Sequence, residues 1–201
     1  MISPTGAVRL LGIRFHPGGT LPFLRVPLHE ITDNVVELGS LSSSLERNLL
    51  RVTSESGSLA EKITAVDDFL TSHLITDEHN SSMLNLAGRI VDSAGTVSVD
   101  QLANDAGLSS RQLERRFLRD VGLGPKLLGR IIRFQQVFRA VEQCNSAWAD
   151  VALECGYYDQ AHLIRDFNQF AQQTPAVLFS SQSALTEAFT RKARKSHFSN
   201  T

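Results

Sequence analysis

The chain has 201 residues and 22.1 kDa, of which 42% are hydrophobic and 20% charged, so it can bury a core and is not a disordered chain. A formal net charge of −1 excludes a protein coated in positive charge, though not one whose charge is segregated along the sequence. No apolar run reaches the ~18 residues of a membrane helix, no basic start precedes an apolar core, and Cys144 and Cys155 make neither a disulfide scaffold nor a zinc spacing, so a cytoplasmic protein with reduced thiols is expected.

The first 28 residues read differently from the rest. Val8 to Phe15 is a strand candidate, His16-Pro-Gly-Gly-Thr20 a turn, and Phe23 to Val26 a second short strand limited by Pro22 and Pro27. Two short strands make no stable sheet in water, so they either pack on helices or end a larger sheet. From Pro27 onward the pattern is helical. Leu28, Ile31, Val35 and Leu38 have a 3–4 spacing, and 44–52 is another short segment. Ser58-Leu-Ala-Glu61 is a capping box opening a helix to about Leu74, and Ser82 to Ala94 is a further helix ended by Gly95.

The informative half is 98–180. Ser98-Val-Asp-Gln101 is a capping box for a short helix that Gly107 ends. Ser109 or Ser110 then caps a helix reaching Val121, with Leu113 and Phe117 facing inward and Arg111, Glu114 and Arg115 sharing the outward face. Pro125 suits the first turn of a long helix to about Cys144, with an apolar stripe of Leu127, Ile131, Phe134, Phe138 and Val141. A second unit repeats the first. Ser146 caps a helix ended by Gly156, Tyr157-Tyr158 is the turn, and Asp159 caps a helix to about Phe170. Leu163, Phe167 and Phe170 are its inward set, and Thr174-Pro175 opens a last short helix.

Charge follows this division: net −4 over 1–95, 0 over 96–180 and +3 over 181–201. Between Arg111 and Arg139 eight basic residues face two acidic ones, a local +6 that could meet a polyanion. Two helix-turn-helix units in tandem, with a rigid helix between, are much more specific than one. A recognition helix fits the major groove, and two set about 34 Å apart can read successive grooves as a monomer.

Residues 98–180 resemble the AraC/XylS-type transcriptional regulators over essentially their whole DNA-binding domain. The carrying residues are Leu102-Ala103, Gly107-Leu108-Ser109, Leu113, Arg115, Phe117, Gly122-Leu-Gly-Pro125, Val151-Ala152, Gly156-Tyr157, Asp159-Gln160, Phe167 and Thr174-Pro175. The run Gly156-Tyr-Tyr-Asp-Gln-Ala-His162 is among the most specific. The resemblance implies that Arg111, Glu114 and Arg115 meet DNA from the first recognition helix, and Gln160, Ala161 and Arg165 from the second. His162 joins them as a phosphate-side or packing residue. The chain departs from the pattern at Gln172 and Gln173, where a glycine is usual, at Leu163, where an aromatic is common, and at Asn168 and Gln169, which are often basic. Residues 12–19, Pro22-Phe-Leu24 and Val35-Val-Glu-Leu38 resemble the end of the regulatory half in one subgroup, where a β-rich sensing domain precedes a helical linker. Only its last strands would then be present here, in a truncated or incompletely represented regulator.

The expected fold is mainly α, with two helix-turn-helix subdomains joined by a long helix and preceded by a helical linker and a short β remnant. The expected organisation is a β remnant over 1–28, a linker or dimerisation region over 29–95, the DNA-binding domain over 96–180 and a basic tail over 181–201. No catalytic motif, phosphate loop or metal-ligand spacing is present, so no enzyme activity, cofactor or metal is expected. The expected partner is double-stranded DNA, with RNA polymerase and a second copy as further candidates and no membrane. The alternative is a truncated interaction protein that modulates a full-length regulator or RNA polymerase through residues 28–94.

Overall fold

The structure is a computed structural model and describes residues 11–24, 26–55, 57–74, 78–143 and 147–180. Among these it is mainly helical and contains no strand. The helices are α1 (Leu38–Glu55), α2 (Leu59–Ser72), α3 (Glu78–Asp92), α4 (Val99–Asp105), α5 (Ser110–Val121), α6 (Pro125–Gln143), α7 (Trp148–Glu154), α8 (Gln160–Ala171) and α9 (Pro175–Ser180).

The expected β remnant is not formed. Residues 11–16 are irregular, residues 17–23 are turns, and residues 8–10 of the first strand candidate lie outside the described residues. With no strand to pair with, some apolar side chains of this segment turn inward, while Leu11 and Ile13 stay exposed. The rings of Phe15 and Phe23 lie 5.6 Å apart and tilted by 46°, and Leu24 and Leu28 are buried. A 3-10 turn at Leu28–Glu30 packs on α5, and the Thr32 hydroxyl lies 2.9 Å from the carbonyl of Gly122 at the end of that helix.

The helix expected over 28–38 is also corrected. Asp33 adopts φ 59, which stops a right-handed helix, and Val35 is fully exposed. The helix starts only at Leu38 and continues to Glu55 with a kink at Ser42, so the short segment expected at 44–52 is longer than its pattern indicated. At α2 the capping box is complete. The backbone N–H of Ser58 donates to Glu61 at 2.7 Å, which with the other cap bonds holds the Glu61 carboxyl below its ordinary range.

Two cores organise the rest. Met83, Leu86, Ala87 and Ile90 of α3, Leu102 and Ala103 of α4, Leu113 and Phe117 of α5, and Leu128 and Ile132 of α6 form the first. Val137, Phe138 and Ala140 of α6 meet Val151 and Ala152 of α7, Cys155 and Tyr157 of the turn after it, Leu163 and Phe167 of α8, and Leu178 of α9 in the second. The long helix α6 therefore serves both cores with successive turns. Its buried residues include Leu128, Ile132, Val137, Phe138 and Ala140, whereas Leu127, Ile131, Phe134 and Val141 of the expected stripe are half-buried. A single periodic stripe cannot describe a helix that faces two cores in different directions.

Candidate DNA-binding surface

The first recognition helix, α5, is set by its ends. Gly107, at φ 64, turns the chain out of α4 in a left-handed conformation that suits glycine. The Ser109 hydroxyl accepts from the Gln112 backbone N–H at 3.3 Å, and the Gln112 carboxamide accepts from the Ser109 N–H at 2.9 Å. At α4 only one half of the expected box forms, Ser98 accepting from Gln101 N–H at 3.1 Å. Gly122, at φ 86, ends α5, where a Cβ would lie 2.7 Å from the Thr32 hydroxyl. Leu113 and Phe117 are fully buried, so the opposite face of α5 is turned outward with Arg111 and Arg115 exposed on it.

The second unit has the same plan. Ala147, without a side-chain cap, precedes α7; Ser146, expected to cap it, lies outside the described residues, as does Cys144. Gly156 turns the chain at φ 76, and the Asp159 carboxylate accepts from the His162 N–H at 2.6 Å at the start of α8. Leu163 and Phe167 are fully buried, while Gln160, Ala161 and Arg165 are exposed. Arg165 Nε reaches the carbonyl of Ala161 at 3.3 Å, which lays its guanidinium along its own helix.

Two expected site residues have structural neighbours as well. The Glu114 carboxylate takes the space that a Cβ on Gly124 would occupy, so it folds toward the α5–α6 turn. His162 is half-buried and packs edge-on against Tyr157 at 5.2 Å. The two tyrosines of the turn part company: Tyr157 is buried, and Tyr158 is 87% exposed beside the start of α8. Nothing in the pair Tyr-Tyr distinguishes them by sequence, and Tyr158 joins the exposed face only through the backbone direction of the turn.

The local positive band is less available than its composition indicates. Arg119 pairs with buried Asp120 at 2.6 Å. Arg130 pairs with Asp166 at 2.7 Å, and Arg133 donates to the carbonyl of Gly95. Arg130 and Arg133 are half-buried and used inside the fold, and Arg119, though exposed, is held by Asp120, while Arg111, Arg115, Lys126 and Arg139 are exposed. Two short-helix, glycine-turn, polar-helix units with their apolar backs buried and their cations outward define a helix-turn-helix DNA-binding protein.

The comparison with known families agrees. Residues 102–181 match the family described as "Helix-turn-helix domain", and residues 1–37 match "Domain of unknown function (DUF6597)". The first match supports a DNA-binding transcriptional regulator of the AraC type, and the second is typical of the N-terminal part of such regulators. No curated protein and no solved structure matches the chain. No described helix is long and apolar enough to cross a membrane, and no cluster of metal-ligating side chains occurs among the described residues.

Proposed function

We propose that the chain binds DNA sequence-specifically by inserting α5 and α8 into two successive major grooves. The observation that carries this reading is the shared design of the two helices: a fully buried back, Leu113-Phe117 or Leu163-Phe167, behind an exposed face with arginine on it. Arg111 and Arg115 read bases or hold phosphates from α5, and Gln160, Ala161 and Arg165 do so from α8. Glu114 orients the α5–α6 turn beside Arg115, and His162 steadies the start of α8 near the backbone. Residues 96–180 are the DNA-contacting domain, supported from behind by α3, and the protein works in the cytoplasm without catalysis.

Footprinting on a duplex selected from random sequence tests this. Two protected segments one helical turn apart, about 10 base pairs, support it, and a single protected groove refutes it. Salt provides the second measurement. Neutralising about four phosphates gives a slope near −4 in log affinity against log salt, and a slope near zero refutes DNA binding through this surface.

A second reading is favoured by α1 and α2. These pack on each other, α1 buries no residue, and Leu50, Leu59 and Ile63 are more than half exposed. In that reading the hairpin docks a second copy, a full-length regulator or RNA polymerase, and the DNA contact is secondary. Sedimentation of the chain alone and with polymerase separates the two.

A further inference from the structure

We infer that Arg133 is the positioning residue that fixes the orientation of the two recognition helices relative to each other; the inference rests on the two-groove reading. Arg133 lies on α6 between the two cores and touches parts of both units. Its Nη1 donates to the carbonyl of Gly95, in the loop that leads into α4. Its guanidinium carbon lies 5.6 Å from the centre of the Tyr157 ring, in the turn that leads into α8.

The backbone around it is packed so closely that only glycine fits. Gly95 has φ 79, and a Cβ there would lie 3.0 Å from the Gly129 carbonyl carbon and 3.2 Å from Cγ of Arg133. Gly156 has φ 76, and a Cβ there would lie 2.5 Å from the Thr96 methyl and 3.5 Å from Cδ of Arg133. Thus Gly95-Thr96 of the first unit, Gly129 and Arg133 of the connecting helix, and Gly156-Tyr157 of the second unit close on one point.

The joint is polar as well as tight. Arg133 Nε is buried without a hydrogen-bond partner, and the Tyr157 hydroxyl lies beside the buried Asp166 carboxylate. The charged head therefore depends on the Gly95 carbonyl and the face of the Tyr157 ring. Rotating one unit against the other would break that hydrogen bond or open the Thr96–Gly156 contact, leaving a half-buried cation with less to hold it. Tyr157 belongs to the second apolar core, but Arg133 and Thr96 belong to neither, so these two side chains act on the relation between the units rather than on either core.

The test uses the full chain and a duplex selected from random sequence, together with the same duplex carrying one base pair more or less between its two protected grooves. A third duplex has the second groove's sequence scrambled. One base pair turns the second groove by about 34°. The unaltered chain should lose about tenfold or more on the shifted spacers, a loss comparable to a mismatched base. In Arg133→Ala and Arg133→Lys, affinity on the selected duplex should fall while the penalty for a shifted spacer shrinks to about threefold or less. Binding to the scrambled duplex should equal that of the unaltered chain. Thr96→Gly, which opens the joint from the other side, should shift the spacer penalty in the same direction.

A full spacer penalty in all three variants overturns the inference. So does an equal loss on the scrambled duplex, which marks a merely structural role for Arg133. If the unaltered chain protects one groove and ignores the spacer, the two-groove reading fails first and the inference falls with it.

Discussion

Arg130 of α6 and Asp166 of α8 are locked together across the second core, with Nε at 3.0 Å and Nη2 at 2.7 Å from the same carboxylate oxygen. Asp166 is almost fully buried, and Arg130 also reaches the Gln169 carboxamide at 2.5 Å and the face of Phe170 at 5.2 Å. By its place on the connecting helix Arg130 looks like a phosphate-attracting cation. The structure assigns it instead to fastening α8.

Arg130→Ala should therefore destabilise the protein. Removing one partner of a buried, hydrogen-bonded ion pair leaves the other charge without compensation, here at a cost of about 2–3 kcal/mol after allowing for the partial exposure of Arg130. Chemical denaturation measures it. A change below about 0.5 kcal/mol would show that the pair contributes no more than a surface salt bridge.

Arg115→Ala and Arg165→Ala address recognition directly. Each should weaken binding to a selected duplex by about 1–3 kcal/mol and to a scrambled duplex by less. Titration of each variant against both duplexes is the measurement. Equal losses on both would mean that these side chains attract DNA without reading it. A loss for Arg115→Ala alone would mean that only α5 docks.

Gln172 ends α8 in the left-handed region, at φ 56 and ψ 22, where a glycine is usual in proteins of this type. A side chain there costs about 1–2 kcal/mol, part of which glycine returns through the greater freedom of the unfolded chain. Gln172→Gly should raise stability by about 0.5–1 kcal/mol and raise the melting temperature. A lower melting temperature would show that the Gln172 side chain stabilises the turn by more than its backbone strain costs.

Burial of Cys155, aided by the charge of Glu154, pushes its thiol up to about 11 from an ordinary 9.0. In a Cys144→Ser variant, labelling of the folded chain by a thiol reagent at neutral pH should be about a hundredfold slower than in denaturant, from thiolate fraction alone. The sign for stability follows. The unfolded chain releases the proton first, so the folded state keeps its advantage below pH 9 and loses stability as pH rises toward 11. Stability that does not fall across that window would place the thiol in contact with water.

The sequence by itself determined the local pieces of the DNA-binding half. Gly107, Gly122 and Gly156 mark turns because the backbone there has positive φ, and Ser109 and Asp159 mark helix starts because their oxygens accept backbone N–H groups. The inward residues Leu113, Phe117, Leu163 and Phe167 follow from helical spacing alone. These are short-range effects, settled within three or four residues. What only the tertiary structure decided is long-range. Residues 11–36 form neither strands nor a long helix: the turn at Leu28–Glu30 packs on α5, while Leu11, Ile13, Val35 and Val36 stay exposed. Arg130 and Arg133 resemble Arg115 in sequence, yet Arg130 meets a carboxylate 36 residues away and Arg133 a carbonyl 38 residues away. An arginine's role is set by whatever acceptor the fold brings within about 3 Å, and no local pattern encodes that distance.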